Sequence, residues 1–196
     1  TLEQLETATH DMPQLALAGR SNVGKSSLIN ALARRRKLAK VSSEPGKTRS
    51  VNLFKVMPDG FCLTDLPGYG YARRGHEERR NWAALIQKYL EETRSLRALV
   101  LLIDCRIPTQ ESDRMMADFA RSRHLPVIAV LTKADKCTLK ERSAQQKIWS
   151  AILGGTKPVV VSSVTGLGLD ELWDLLRETG APEPLSSSED SASAAD

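Results

Sequence analysis

The chain has 196 residues, of which 41% are hydrophobic and 27% charged, as is ordinary for a globular protein with one core. No stretch reaches the roughly 18 apolar residues of a membrane-spanning helix, so we expect no membrane contact, and no secretory signal is visible. Residues 1–182 hold all 28 basic and 20 of the 24 acidic residues and carry about +8. That surplus weakly favours a polyanionic partner.

Cysteine and histidine usage predicts neither a disulfide nor a metal site. The three cysteines, Cys62, Cys105 and Cys137, are odd in number and contain no CxxC pair. Cys62 and Cys105 lie in or beside apolar runs, so burial is their expected role. Reduced thiols favour a cytoplasmic protein. The histidines lack metal-ligand spacing and are predicted to lie at the surface (His10, His76 and His124).

Short apolar runs alternate with segments of helical spacing. The runs are LALA, ALVLLI, VIAVL and PVVV, at residues 15–18, 98–103, 127–131 and 158–161. Such runs are typical of parallel strands covered on both faces. VNLFKV and FCLTD, at residues 51–56 and 61–65, flank a turn-forming MPDG and predict an antiparallel hairpin inside this plan.

Two segments repeat apolar residues at the spacing of one helix face. The first comprises Trp82, Leu85, Ile86, Tyr89 and Leu90, and the second Leu169, Leu172, Trp173 and Leu176. We predict that both tryptophans face the core and that Gly180 and Pro182 end the second helix. Alternating strands and helices predict a doubly wound α/β sheet, whose ligands bind beyond the carboxyl ends of its strands. Residues 1–182 form one predicted domain, and residues 183–196 a disordered acidic, serine-rich tail.

The sequence GRSNVGKS at residues 19–26 matches the pattern GxxxxGK[ST] between a predicted strand and a predicted helix. Glycines allow successive backbone N–H groups to point at phosphate oxygens, and the helix start adds its positive dipole end. Lys25 can bridge the β- and γ-phosphates, and the Ser26 hydroxyl can bind Mg²⁺. This segment is therefore a predicted phosphate-binding loop.

Three further segments indicate which nucleotide binds. DLPG at residues 65–68 follows the hairpin, where Asp65 can hold a water of Mg²⁺ and the Gly68 amide can sense a γ-phosphate. TKAD at residues 132–135 follows VIAVL, and the Asp135 carboxylate can accept guanine N1–H and N2–H₂; its alternative is a helix cap. Ser162 and Ser163 follow PVVV, where a backbone N–H can donate to guanine O6.

These motifs resemble the EngB family of bacterial ribosome-biogenesis GTPases, within the TrmE-Era-EngA-EngB-septin-like superfamily. The resemblance rests on ALAGRSNVGKSSLINAL, SEPGKTRSVN, TDLPGYGYA, LLIDCR and LTKADK, which run in order across most of the chain. It implies a P-loop fold with a six-stranded, mostly parallel sheet, one strand antiparallel, and helices on both faces. It also implies a slow GTPase switch in large ribosomal subunit assembly, required for normal cell division and septation.

The family pattern also implies roles for individual residues. Thr48 joins Ser26 and Asp65 in coordinating Mg²⁺, and Lys25, Thr48 and Gly68 act in catalysis. The residues implied to bind GTP or GDP are Gly19, Arg20, Ser21, Asn22, Val23, Gly24, Lys25, Ser26, Gly46, Lys47, Thr48, Arg49, Ser50, Asp65, Leu66, Pro67, Gly68, Thr132, Lys133, Ala134, Asp135, Val161, Ser162 and Ser163.

The chain departs from the broader GTPase pattern at two positions. Tyr69 stands where Ras-like enzymes place a water-orienting glutamine, so unaided hydrolysis should be slow. As a hypothesis, Asn22 helps to bind K⁺ beside the phosphates, as in similar GTPases. Thr132 stands where many GTPases carry asparagine, and its hydroxyl can make some of the same loop-bracing hydrogen bonds.

Basic clusters at residues 34–37, 73–74 and 79–80 are candidate contacts to ribosomal RNA in a large-subunit precursor, and we expect a monomer. The first cluster is also explained as cations at the end of a helix. Three other functions stay open: a related Era-like GTPase in another RNA-processing step, a P-loop ATP-dependent kinase, or a nucleotide-binding scaffold with negligible turnover.

Overall fold

The computed structural model describes residues 12–35, 37–41, 51–69 and 76–182. Strands and helices alternate along them, as the apolar runs predict. The strands are β1 (Gln14–Gly19), β2 (Lys37–Val41), β3 (Asn52–Met57), β4 (Phe61–Asp65), β5 (Leu96–Asp104), β6 (Val127–Thr132) and β7 (Val159–Val160). The helices are α1 (Lys25–Arg35), α2 (His76–Glu92), α3 (Glu111–Ser122), α4 (Leu139–Ile152) and α5 (Leu169–Gly180), and a 3₁₀ turn (Ala134–Lys136) precedes α4.

The strands form one sheet in the order β2-β3-β4-β1-β5-β6-β7. From β4 to β7 in this order, adjacent strands pair in parallel, whereas β3 pairs antiparallel with both β2 and β4. The predicted α/β sheet with one antiparallel strand, including the hairpin of β3 and β4, is confirmed.

Among the described residues the sheet contains seven strands, one more than the six expected. The additional strand, β2, lies at the edge and consists of KLAKV, a short segment in which two lysines interrupt the apolar residues. Such charges are common on edge strands because they discourage pairing with other molecules, and they also weaken the sequence signal for a strand. Helix α1 ends at Arg35, so Lys37 belongs to β2 and not to the end of the helix.

Both faces of the sheet are covered by helices. On one face, Leu15 and Leu17 of β1 share a core with residues of α1 and α5, including Trp173. On the other face, Ala16 and Ala18 share a core with residues of α2, α3 and α4, including Trp149. Successive residues of β1 therefore face two separate cores, which is why this strand is a continuous apolar run. The core role predicted for Trp173 is confirmed, and the side chain of Trp82 lies outside the described residues.

The cysteines are buried free thiols, as predicted for Cys62 and Cys105. Burial raises the pKa of Cys62 to about 11 and that of Cys105 to about 12, so both stay protonated at neutral pH. His124 is exposed, as predicted. Over the described ranges, no helix combines the length and the apolar character that crossing a bilayer requires.

The parallel strands β1, β4, β5, β6 and β7 all end at the same edge of the sheet. Four of the segments that follow them are those in which the sequence predicts a ligand site, at residues 20–24, 66–69, 133–135 and 161–163. Ligands of open α/β sheets bind at this edge, where the loops converge.

Candidate functional site

The loop at residues 20–24 joins β1 to α1 and is shaped by two residues with left-handed backbone conformation. Asn22 has φ +65° and Gly24 has φ +109°. The latter value strains any residue with a Cβ atom, which accounts for the glycine just before the helix. Helix α1 begins at Lys25 and has no acidic residue in its first turn. No negatively charged side chain in that turn therefore offsets the positive end of the helix dipole, which leaves it available to an anion.

Lys25 and Asp65 form an ion pair between the start of α1 and the end of β4. Their side chains are only 12% and 14% exposed, so each charge depends on the other for solvation. Both residues are predicted to act on the same phosphate–metal group. A nucleotide with its Mg²⁺ carries both negative and positive charge and can replace this ion pair. The Lys25 ammonium can then contact phosphate oxygens, and the Asp65 carboxylate can face the cation.

The segment after β4 runs alongside the beginning of the loop. The Ser21 N–H donates to the Tyr69 carbonyl at 2.7 Å, and the Tyr69 N–H donates to the Gly19 carbonyl at 3.2 Å. A Cβ atom on Gly68 would lie 3.1 Å from the Ser21 nitrogen, so the two backbones approach as closely as a glycine permits. The backbone of DLPG is therefore coupled directly to the predicted phosphate loop.

The Tyr69 side chain is buried and points to helix α3. Its hydroxyl donates to Asp113 Oδ1 at 2.6 Å, and Asp113 is itself only 2% exposed. Burial raises the pKa of Asp113, whereas the hydrogen bond from Tyr69 and the charge of Arg20 lower it. The residue at the position of the water-orienting glutamine is thus held by a carboxylate on a helix.

The first two residues of TKAD hold the phosphate loop. Thr132 Oγ1 lies 2.7 Å from the Val23 carbonyl and 3.1 Å from the Ile103 carbonyl. Lys133 Nζ donates to the Asn22 carbonyl at 2.6 Å. Two consecutive carbonyls of the loop therefore accept hydrogen bonds from one motif, including the bracing contact expected of a threonine hydroxyl.

The Asp135 carboxylate is fixed by the segment after β7. Ser162 Oγ donates to Asp135 Oδ1 at 2.7 Å and accepts from the N–H groups of Val164 and Thr165 at 3.2 and 3.1 Å. The hydrogen bond from Ser162 lowers the pKa of Asp135, which keeps it an acceptor. The helix-cap alternative is wrong, because Thr138 caps α4 in a capping box with Glu141. Ser163, whose backbone is the other predicted guanine contact, is half-buried beside Ser162.

The described donors suit Mg²⁺ better than a transition metal. Ser26 is exposed in the first turn of α1 and offers a hydroxyl, and Asp65 offers a carboxylate. Magnesium binds such oxygens, with waters and ligand phosphates completing its shell. Within the described part of the chain, no group of three or more His, Cys, Asp or Glu side chains could form a protein-only metal cage.

Several predicted residues lie outside the described ranges. These lie in the basic cluster after α1, the switch segment, the arginine clusters beyond Tyr69 and the tail. They are Arg36, Gly46, Lys47, Thr48, Arg49, Ser50, Arg73, Arg74, residues 183–196 and His10, together with the side chains of Arg35, Lys37, His76, Arg79 and Arg80. Sequence reasoning also assigned no role to Asp104 and Asp113, which are both buried. For Asp104 the signal is present, since an acid ends the apolar run of β5.

Comparisons with known proteins agree on the class of this site. A family model described as 50S ribosome-binding GTPase matches residues 14–133. The "Probable GTP-binding protein EngB" of Nitratidesulfovibrio vulgaris (strain DP4) is 58% identical over 181 residues, which cover 92% of this chain and 83% of the relative.

Two solved structures extend this likeness to the fold. A crystal structure of a probable GTP-binding protein EngB has a TM-score of 0.64 at 20% identity, over 85% of this chain and 97% of the other. A structure of Era with MgGDPNP and a segment of 16S ribosomal RNA has a TM-score of 0.67 at 26% identity, over 88% of this chain and 58% of the other.

Replacing Tyr69 by phenylalanine tests the contact with α3. Tyr69→Phe removes the donor to Asp113, and we expect the free energy of unfolding at pH 8 to fall by about 1–3 kcal/mol. Since the phenol lowers the pKa of Asp113, its loss raises that pKa further. Loss of the hydrogen bond destabilises mainly the ionised form of Asp113. The decrease in the free energy of unfolding is therefore largest above the pKa of Asp113 and becomes smaller as the pH falls through that pKa.

Urea unfolding of the nucleotide-free protein at pH 8 and at a series of lower pH values measures this difference. Tyr89→Phe is the matched control, because the buried Tyr89 hydroxyl donates to the neutral amide oxygen of Gln14 at 2.8 Å. Its deficit should be the same at every pH. A Tyr69→Phe deficit that does not change with pH would contradict the role given to Asp113.

Proposed function

The chain belongs to the EngB family of GTP-binding proteins, and from that premise we propose that it is a slow GTPase switch in assembly of the large ribosomal subunit. Normal cell division and septation depend on this switch, and the protein works as a cytoplasmic monomer. One observation carries the proposal: Thr132 and Lys133, of the motif predicted to read the base, make hydrogen bonds to the loop predicted to bind phosphates.

The described residues divide the binding of a nucleoside triphosphate between them. Lys25 and the loop amides bind the phosphates, and Ser26 and Asp65 hold Mg²⁺ together with Thr48. When bound, Mg²⁺ offsets the negative charge that develops on the phosphates during hydrolysis. Gly68 senses the γ-phosphate, and its tight contact with Ser21 passes the presence or loss of that group to the segment beyond Tyr69.

Slow GTP hydrolysis is supported by the hydrogen bond from Tyr69 to Asp113. A side chain that orients the attacking water must be free to reach the γ-phosphate, and the Tyr69 hydroxyl is bonded to Asp113 instead. The same observation supports the alternative of a nucleotide-binding scaffold with negligible turnover. Rates of phosphate release with and without ribosomal subunits separate the two, because a switch should be accelerated by its partner.

Asp135 sets the choice of base in this proposal. Its carboxylate accepts from the 2-amino group of guanine, whereas an amide at the same position donates to the 2-oxo group of xanthine. Asp135→Asn should therefore weaken GDP binding about 100-fold or more and strengthen binding of xanthosine diphosphate. Titration of both nucleotides by calorimetry gives the two affinities, and unchanged guanine preference would overturn this role for Asp135.

Potassium should accelerate hydrolysis if Asn22 contributes a ligand to an ion beside the phosphates. We expect several-fold faster turnover in KCl than in NaCl, because the ion supplies charge that an arginine finger supplies elsewhere. Asn22→Gly is the matched variant, since glycine tolerates the φ of +65° and lacks only the amide. It should keep GDP binding and lose the preference for KCl. Equal wild-type rates in both salts would exclude this use of potassium.

The ribosomal partner is supported by the charge of residues 1–182 and by the description of the matching family. We expect co-sedimentation with large ribosomal subunits in GTP and much less in GDP or without nucleotide. Because contacts to RNA phosphates release counterions, binding should fall steeply between about 50 and about 200 mM salt. Preference for small subunits would favour the alternative of an Era-like GTPase in another RNA-processing step.

A further inference from the structure

Asp104, the last residue of β5, is surrounded by donors from two cations. Its Oδ2 accepts from Lys133 Nζ at 2.8 Å and from Arg106 Nη2 at 2.8 Å. Its Oδ1 accepts from Arg106 Nε at 2.9 Å and from the Arg106 backbone N–H at 3.1 Å. Both carboxylate oxygens are therefore occupied, in a side chain that is only 9% exposed.

This carboxylate keeps its charge despite burial. Burial opposes its ionisation, but hydrogen bonds from Arg106 and Lys133 outweigh that effect and lower the pKa of Asp104 to about 2. The fork of Arg106 binds both oxygens and so fixes the plane of the carboxylate. Arg106 itself is about half exposed, so its guanidinium stays hydrated while it holds Asp104.

Lys133 is the group on which this arrangement acts. Its ammonium contacts Asp104 and the Asn22 carbonyl at once, and its backbone is held in the left-handed region with φ +58°. A Cβ built on Gly24 would lie 3.7 Å from Lys133 Cε, so the lysine stem passes over the phosphate loop. With only the Asn22 carbonyl as a partner, this flexible side chain would have many alternative rotamers.

We infer that Asp104 is a positioning residue for nucleotide binding, which holds the Lys133 ammonium on the phosphate loop and its stem in place for the base. Arg106 orients the carboxylate that does so. The inference rests on the proposed function, since it assumes that residues 20–24 and Asp135 bind one guanine nucleotide. Asp104 touches neither base nor phosphate and acts through Lys133 alone.

A double-mutant cycle tests this dependence, with dissociation constants measured by titration of a fluorescent GDP analogue. Asp104→Asn keeps the shape of the side chain and removes its charge, and we expect GDP affinity to fall about 10- to 100-fold. In a Lys133→Ala background, Asp104→Asn should lower GDP affinity by less than about 3-fold, because the ammonium that Asp104 holds is already absent. The ratio of affinities for GDP and xanthosine diphosphate should not change, since Asp135 is intact.

Two further variants separate positioning from folding. Asp59→Asn is the matched control, because Asp59 is also mostly buried and accepts from Arg177 Nε at 2.8 Å, but lies at the hairpin turn. It should leave GDP affinity within about 2-fold of wild type. Should Asp104→Asn fail to fold, Arg106→Ala loosens the carboxylate without removing its charge. That variant should weaken GDP binding by a smaller factor, again only while Lys133 is present.

The outcomes distinguish this inference from the function on which it rests. The positioning role would be overturned if Asp104→Asn lowered GDP affinity equally with and without Lys133. It would also be overturned if neither Asp104→Asn nor Arg106→Ala lowered GDP affinity. In both cases, normal GDP binding by the wild-type protein would leave the proposed function intact. Wild-type protein that binds neither GDP nor GTP would overturn the proposed function and the inference together.

Discussion

The hydrogen bonds from Thr132 and Lys133 to the carbonyls of Val23 and Asn22 join the two halves of the candidate site. They connect the end of β6 to the loop after β1, two strands that are separated by β5 in the sheet. The distance between Asp135, the proposed base-reading carboxylate, and the proposed phosphate-binding loop is therefore set by the sheet and by short side-chain hydrogen bonds. Thr132 is the last residue of β6, and Lys133 is the first residue of the loop that follows, so these contacts couple that loop to the loop after β1.

Ion pairs hold two lysines of the candidate site. Lys25 pairs with Asp65, and Lys133 pairs with Asp104, so neither lysine is left as an isolated buried cation. The proposed function gives the two pairs different consequences. It requires Lys25 to exchange Asp65 for phosphate oxygens, which costs part of the binding free energy. It lets Lys133 keep Asp104 as its partner, so that the position of this lysine is prepared before the nucleotide binds.

Much of this architecture follows from local sequence patterns. Continuous apolar runs predicted the strands because helices cover both faces of the sheet, and a glycine-rich pattern predicted the tight loop between β1 and α1. The edge strand β2 was missed because its short, lysine-containing sequence has little apolar signal. The partnerships of Tyr69 with Asp113 and of Lys133 with Asp104 join residues 44 and 29 positions apart, and no local pattern specifies such pairs. The close approach of Ser21 to Gly68 is likewise a contact between distant segments that no local pattern specifies.

The central claim is that one site binds the phosphates and the guanine base of a single nucleotide. Isothermal titration calorimetry of the folded, nucleotide-free protein with GTP and with ATP, each in the presence of Mg²⁺, tests it most directly. The account predicts saturable heat from GTP with a stoichiometry near one, and much weaker binding of ATP, which lacks the 2-amino group that Asp135 accepts from. Equal affinity for the two nucleotides, or no heat from GTP, would contradict it.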